Sequence, residues 1–252
     1  MTLPAAVLFD MDGTLVDTET LWWESAAEVA AGLGHRLSDA DAPEVVGRAV
    51  ADTAAHLVRL TGAPRPDDVA ADLAGSFLRR VDAGAPPRPG ARRLLAALEA
   101  AGVPFALVSA SPRSVVDSVV AGSLADVAFS FTLSADDTVR TKPHPDPYRA
   151  AAERFGAPPG ACVAVEDSPD GTASAEAAGC PVLVVPSLLP VAAGEGRYFA
   201  GSLADVDVAA LGRVLDGGPE GGRESGPKGG PQGGPQGVIL ATSDRSLAQT
   251  SG

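Results

Sequence analysis

Lysine is nearly missing from this chain. Of its 19 basic residues only Lys142 and Lys228 are lysines, and the rest are arginine. A position that keeps a lysine against that bias stands out, because a compact ammonium and a planar guanidinium are not interchangeable. Positive charge as a whole is short, with 32 acidic residues setting a formal net charge of −13. That argues against a binder of nucleic-acid backbone, which needs basic patches, but leaves small anionic substrates, which respond to the local field of a site. Cysteine is reduced to Cys162 and Cys180, which make neither a zinc-type pair nor a disulfide framework. No stretch approaches the roughly 20 apolar residues that span a bilayer. The opening Met1-Thr2-Leu3-Pro4 carries no basic leader region. A cytoplasmic monomer with no membrane and no nucleic-acid partner is the expectation.

What is present is a rhythm. Apolar runs of strand length recur at 5–9, 105–109, 129–133, 162–165 and 181–185. They lack polar alternation, as strands covered on both faces of a parallel sheet do. Helical patterns lie between them: 91–101 stopping at Gly102, a helix after the second strand with Ser111 as cap and Pro112 at its first position, 145–155 stopping at Gly156, and one that opens at a Ser168-Pro169 cap, continues over 171–178 and stops at Gly179. Strands alternating with helices predict a doubly wound α/β fold with a parallel, Rossmann-like sheet.

Residues 17–88 break the rhythm. They read as helical throughout, with Ala26, Val29, Ala30 and Leu33 on one face. An all-helical insert directly after the first strand sits over the carboxyl ends of the sheet, where open α/β folds bind ligands. It is a cap candidate; the alternative is a helical extension that only packs. The expected organisation is a core of 1–16 and 89–216, a cap of 17–88, and a glycine- and proline-rich tail of 217–252 too poor in apolar residues to fold.

The first strand runs into Asp10-Met11-Asp12. Two carboxylates leaving water one residue apart are costly unless a proton, hydrogen bonds or a cation compensates them. FDMDGTLVD at 9–17 resembles the first motif of the haloacid dehalogenase superfamily, in its helical-cap branch of aspartate-nucleophile phosphatases and beta-phosphoglucomutase-like enzymes. LVSASPRS at 107–114, TKPHPDPY at 141–148 and VAVEDSPDG at 163–171 resemble the second, third and fourth motifs, in order and at strand ends. The similarity extends over about 5–190.

The resemblance implies roles. Asp10 is the expected nucleophile and a ligand of Mg2+, the implied cofactor. Asp12 is the expected general acid and base, with its backbone carbonyl on the metal. Gly13 and Thr14 offer a turn whose amides can face phosphate. Ser109 and the backbone N–H of Ala110 bind the transferring phosphoryl oxygens. Lys142, the sole lysine before the tail, screens phosphate and carboxylate. Asp167 is the further metal ligand, and Glu166 either coordinates too or supports from behind. A carboxylate cannot approach an anionic ester without such screening.

The expected reaction is hydrolysis of a phosphate monoester on a small phosphorylated metabolite, a sugar or polyol phosphate. Sugar phosphate mutase chemistry shares the same core and stays open. A catalytically silent binding protein would be expected to lose Asp10, Asp12 or Lys142, and all are present. Asp12 argues against dehalogenation, and the absence of lysine from 17–88 argues against imine-forming phosphonate cleavage. Within the insert, Arg48 follows Gly47 in a turn and can bring a guanidinium to substrate, or is an ordinary surface residue. One of Trp22 and Trp23 is expected at the hinge and the other at the substrate entrance. His144 is expected to face solvent.

Overall fold

The computed structural model describes residues 2–63 and 65–217, so nearly all of the expected tail, from 218 onward, lies outside the described residues. Six strands build one sheet: β1 (Ala6–Phe9), β2 (Phe105–Val108), β3 (Thr132–Leu133), β4 (Cys162–Glu166), β5 (Val182–Val184) and β6 (Arg197–Phe199). Their order is β3-β2-β1-β4-β5-β6, and every pairing is parallel. The strand order reverses direction at β1, which therefore lies between β2 and β4. Ligands of doubly wound sheets bind at such a switch point, beyond the carboxyl ends of the strands.

Side-chain alternation along the strands divides the interior in two. Val7, Phe9, Leu107, Val163, Val165 and Leu183 face one apolar layer, which includes residues of helices α5 (Ala91–Ala100), α6 (Arg113–Ala121) and α9 (Val208–Leu215). Ala6, Leu8, Ala106, Val108, Ala164 and Val182 face the other, with helices α7 (Asp146–Arg154) and α8 (Pro169–Ala178). This second layer is rich in alanine, so it has room for one large side chain, Tyr148, which is fully buried. At about 25 cal/mol per Å² of apolar surface, each such layer is a principal source of stability.

Four helices follow β1: α1 (Glu19–Gly32), α2 (Ala42–Val45), α3 (Val50–Thr61) and α4 (Pro66–Ala83). Ala26, Ala30, Val45, Ala54, Leu57, Val69 and Leu73 bury a third apolar cluster of their own. The chain leaves β1 and returns to α5 through one ribbon. The amide of Asp17 donates to the carbonyl of Pro86 at 2.8 Å, and that of Arg88 to Leu15 at 2.8 Å. α4 also reaches the main core, burying Val81 there. None of the helices described is long and apolar enough to cross a membrane.

Several local expectations need correction. The strand expected over 129–133 shortens to Thr132–Leu133, although the backbone before it still bonds to the β2 segment, Ser130 N–H to Phe105 at 2.9 Å and Leu107 N–H to Phe131 at 3.3 Å. β6 and α9 were not anticipated; β6 has only three half-buried residues. α8, by contrast, opens where the Ser168-Pro169 pair places it: Ser168 caps it, accepting from the amide of Gly171 at 3.1 Å, and Gly179 ends it in the left-handed region at φ +95°. α6 begins at Arg113 with Pro112, not Ser111, in the cap position.

Candidate active site

Three adjacent strands deliver the acidic residues and the serine to one place. Asp10 and Asp12 follow β1, Ser109 follows β2, and Glu166 ends β4 with Asp167 next. The lysine comes from the loop before α7, where the Lys142–Pro143 peptide is cis. Asp10, Ser109, Glu166 and Asp167 are at most 5% exposed.

Asp10 accepts the ammonium of Lys142 on Oδ1 at 2.6 Å, while its Oδ2 is buried without a hydrogen-bond partner among the described residues. Burial above all, then the charges of Glu166 and Asp12, raise the Asp10 carboxyl; the Lys142 charge opposes them. Lys142, whose side chain is 4% exposed, reaches Oε1 of Glu166 at 2.7 Å as well. Burial works against its charge, but the two carboxylates outweigh it and hold the ammonium protonated well above the ordinary lysine range. Asp167 is pushed up to about 9 by burial, reinforced by Asp10, Glu166 and Glu19. One oxygen each from Asp10, Glu166 and Asp167 lies within 4.8 Å of the other two.

Asp12 turns the other way. Its Oδ1 accepts from the hydroxyl of Thr18 at 2.8 Å, and its Oδ2 from the hydroxyls of Ser109 and Ser111, each at 2.9 Å. Ser111 is thus engaged by a carboxylate rather than by the end of α6. A charge-assisted bond is worth more than a neutral cap, which explains the displaced helix start. Thr18 also forgoes capping α1, which has no side-chain cap bond. Neither Thr18 nor Ser111 stood out in the sequence as a site residue. Their signal was only a hydroxyl near a motif, and hydroxyls cap helices everywhere.

Gly13 adopts φ +80°, and a Cβ there would come within 2.1 Å of the Asp167 carboxylate. The tight turn therefore brings the β1 and β4 loops together. Its amide does not face outward as expected, since it donates to the carbonyl of Val16 at 2.9 Å. Ala110 is exposed beside Ser109. Arg48 is not drawn into the cluster: it is exposed, and its Nε donates to the carbonyl of Pro43 at 3.1 Å. Both tryptophans, partly buried, pack against the third cluster. Trp22 bonds the carbonyl of Val45 at 2.8 Å and meets Phe77 edge-on at 5.4 Å. His144 is only partly exposed and lies 2.9 Å from Asp146.

The insert and core touch beside this cluster. Glu19, first residue of α1, accepts from the hydroxyl of Ser187 at 2.6 Å, and burial raises its carboxyl. A Cβ at Gly47 would come within 2.8 Å of Leu189, in the same loop after β5 as Ser187.

Comparison with known proteins extends the picture. A family model described as haloacid dehalogenase-like hydrolase matches residues 4–179. Hexitol phosphatase B of Escherichia coli K12 is 31% identical over 210 residues, covering 82% of this chain and 92% of that protein. Protein CbbY of Cupriavidus necator, plasmid-borne, is 34% identical, covering 72% of this chain and 78% of its own. The crystal structure of CbbY from Rhodobacter sphaeroides in complex with phosphate superposes with a TM-score of 0.70 at 27% identity, covering 83% of this chain and all of that one.

Proposed function

The chain belongs to the haloacid dehalogenase-like hydrolases, and from that premise we propose that it is a magnesium-dependent phosphate monoester hydrolase acting through a phospho-aspartate on Asp10. A small sugar or polyol phosphate is the proposed substrate. The observation that carries the reading is the asymmetry of Asp10: one oxygen is held by Lys142, and the other is buried and unpartnered.

An unpaired buried carboxylate oxygen beside a second buried carboxylate fits a hard divalent cation, which takes oxygen ligands. Asp10, Asp167 and the backbone carbonyl of Asp12 are the proposed holders. When bound, magnesium supplies positive charge that lets an anionic ester approach Asp10. The remaining work falls to the chain. Lys142 and the amide of Ala110 bind phosphoryl oxygens, joined by the Ser109 hydroxyl once it turns from Asp12 to the substrate. An oxygen of Asp10 forms a bond to phosphorus as the ester oxygen leaves, and Asp12 gives that oxygen its proton. Asp12 then takes a proton from water, whose oxygen attacks phosphorus and frees Asp10 with release of phosphate.

Hexitol phosphatase B is named for hexitol phosphates, and a solved CbbY variant holds xylulose-1,5-bisphosphate. Both support a phosphorylated polyhydroxy compound here. Arg48 and Glu19, on the insert, are the proposed contacts to the hydroxyl-bearing part. The test is a screen of phosphate monoesters with magnesium, comparing wild type with Asp10→Asn and measuring free phosphate. Equal hydrolysis by both proteins would remove the covalent mechanism. Isomerised ester with little phosphate released would move the assignment to a mutase.

A further inference from the structure

Proximity treats Asp10, Glu166 and Asp167 alike, but hydrogen bonding separates them. Glu166 is fully buried and serves four donors. Its Oε1 accepts from Lys142 Nζ at 2.7 Å and from the Tyr148 hydroxyl at 2.6 Å; its Oε2 accepts from the Asp167 amide and the Ser168 hydroxyl, both at 3.2 Å. Gly171 backs it so closely that a Cβ would lie 2.0 Å from both oxygens. Asp10 has an oxygen to spare; Glu166 has neither a free oxygen nor space to turn.

We propose that the Tyr148 hydroxyl is the positioning group that keeps Glu166 on Lys142. Tyr148 acts on the lysine in two ways, once through Glu166 and once directly. Its hydroxyl shares the carboxylate oxygen that Lys142 uses, and its ring lies 5.1 Å from the ammonium. A cation over an aromatic face is attracted by it, more so when desolvated. The ring stands in the alanine-rich layer under the sheet, where Ala6, Ala106 and Ala164 leave it space. Burial and the Glu166 charge keep its hydroxyl protonated far beyond the ordinary tyrosine range, so it remains a donor. If Glu166 swung toward an ion, it would leave Tyr148 with an unpaired buried hydroxyl and Lys142 with one carboxylate instead of two. An unpaired buried donor is costly, so the tyrosine holds Glu166 on the lysine.

The catalytic consequence rests on the phosphatase reading, but the structural claim does not, and the experiment separates them. A crystal structure of the wild-type protein with Mn2+ is expected to show the Tyr148–Glu166 and Lys142–Glu166 bonds intact; Glu166 turned away from Lys142 overturns the proposal. In metal-free protein, Tyr148→Phe is expected to lower Tm by about 2–4 °C, and its effect is expected to change when combined with Lys142→Met; strictly additive losses also overturn it. With an active substrate, Tyr148→Phe should lower kcat about tenfold while KM and Mn2+ affinity stay within about twofold. An unchanged kcat rejects the positioning role. Failure of every ester in the screen rejects the phosphatase reading alone.

Discussion

Thr18, the last residue before the first helix of the insert, donates its hydroxyl to Oδ1 of Asp12 at 2.8 Å. The carboxylate proposed as acid and base is thereby tied to the point where the chain enters the insert. With Ser109 and Ser111 on its other oxygen, its orientation is set by three hydroxyls from two separate loops.

Asp12→Asn should keep the fold and slow turnover severely, by about 10²–10⁴-fold, the usual worth of a positioned proton donor. Steady-state rates with several leaving alcohols check this. Unchanged rates would refute the role.

Lys142→Arg should lose about 10²-fold in kcat, comparable to removing one preorganised donor. The ammonium sits 2.6 and 2.7 Å from two carboxylates with a ring beneath it, and a guanidinium is too large for that space. Full activity in the arginine variant would show that charge alone suffices.

Gly171→Ala should destabilise the protein by about 1–3 kcal/mol, as overpacking does, because the added methyl meets the Glu166 carboxylate. Denaturant unfolding measures it. The loss should come with reduced activity, since Lys142 leans on the displaced carboxylate; a variant as stable as wild type would mean that Glu166 moves freely.

Magnesium should protect more strongly at pH 8 than at pH 5.5. The Asp167 carboxyl is raised from 3.8 to about 9, so without a cation its contribution to stability is complete below its ordinary pKa and declines as pH rises through the folded value. The shift at Asp10 acts in the same direction. Lys142, also raised, stays charged throughout this window and adds no slope. Magnesium needs the ionised carboxylates, so binding should release protons. Melting with and without magnesium, and calorimetry in two buffers, measure both; equal Tm gains at the two pH values would contradict the assignment.

Much of this could be read from the sequence because it is written in short stretches. A buried apolar run must end, and Asp10 and Asp167 stand just past such ends, so strand and acid announced each other. The lone lysine of the core was visible against a background of arginine. What could not be read depends on distance in space. Nothing in the sequence marks Tyr148, at the end of the third motif, as a partner of Glu166, 18 positions away; only the folded sheet brings them together. Ser111 before a proline reads as a cap, and only the arrival of Asp12 from β1 redirects it. The aromatic partners of Phe129 and Phe131, Phe105 and Phe155, are likewise set by the fold and not by any local pattern.

The ribbon that joins Asp17 to Pro86 and Leu15 to Arg88 gives the helical insert a single doorway. Because its two ends meet, its length between them can change at small entropic cost to the core. Such a segment is an exchangeable cassette: another set of helices, entering and leaving at the same ribbon, leaves the four strand-end and loop motifs undisturbed. The α4 residues that dip into the core, Val81 foremost, are the part a graft must keep. If the insert contacts the alcohol as proposed, selectivity for it and chemistry at phosphorus can change independently along one chain.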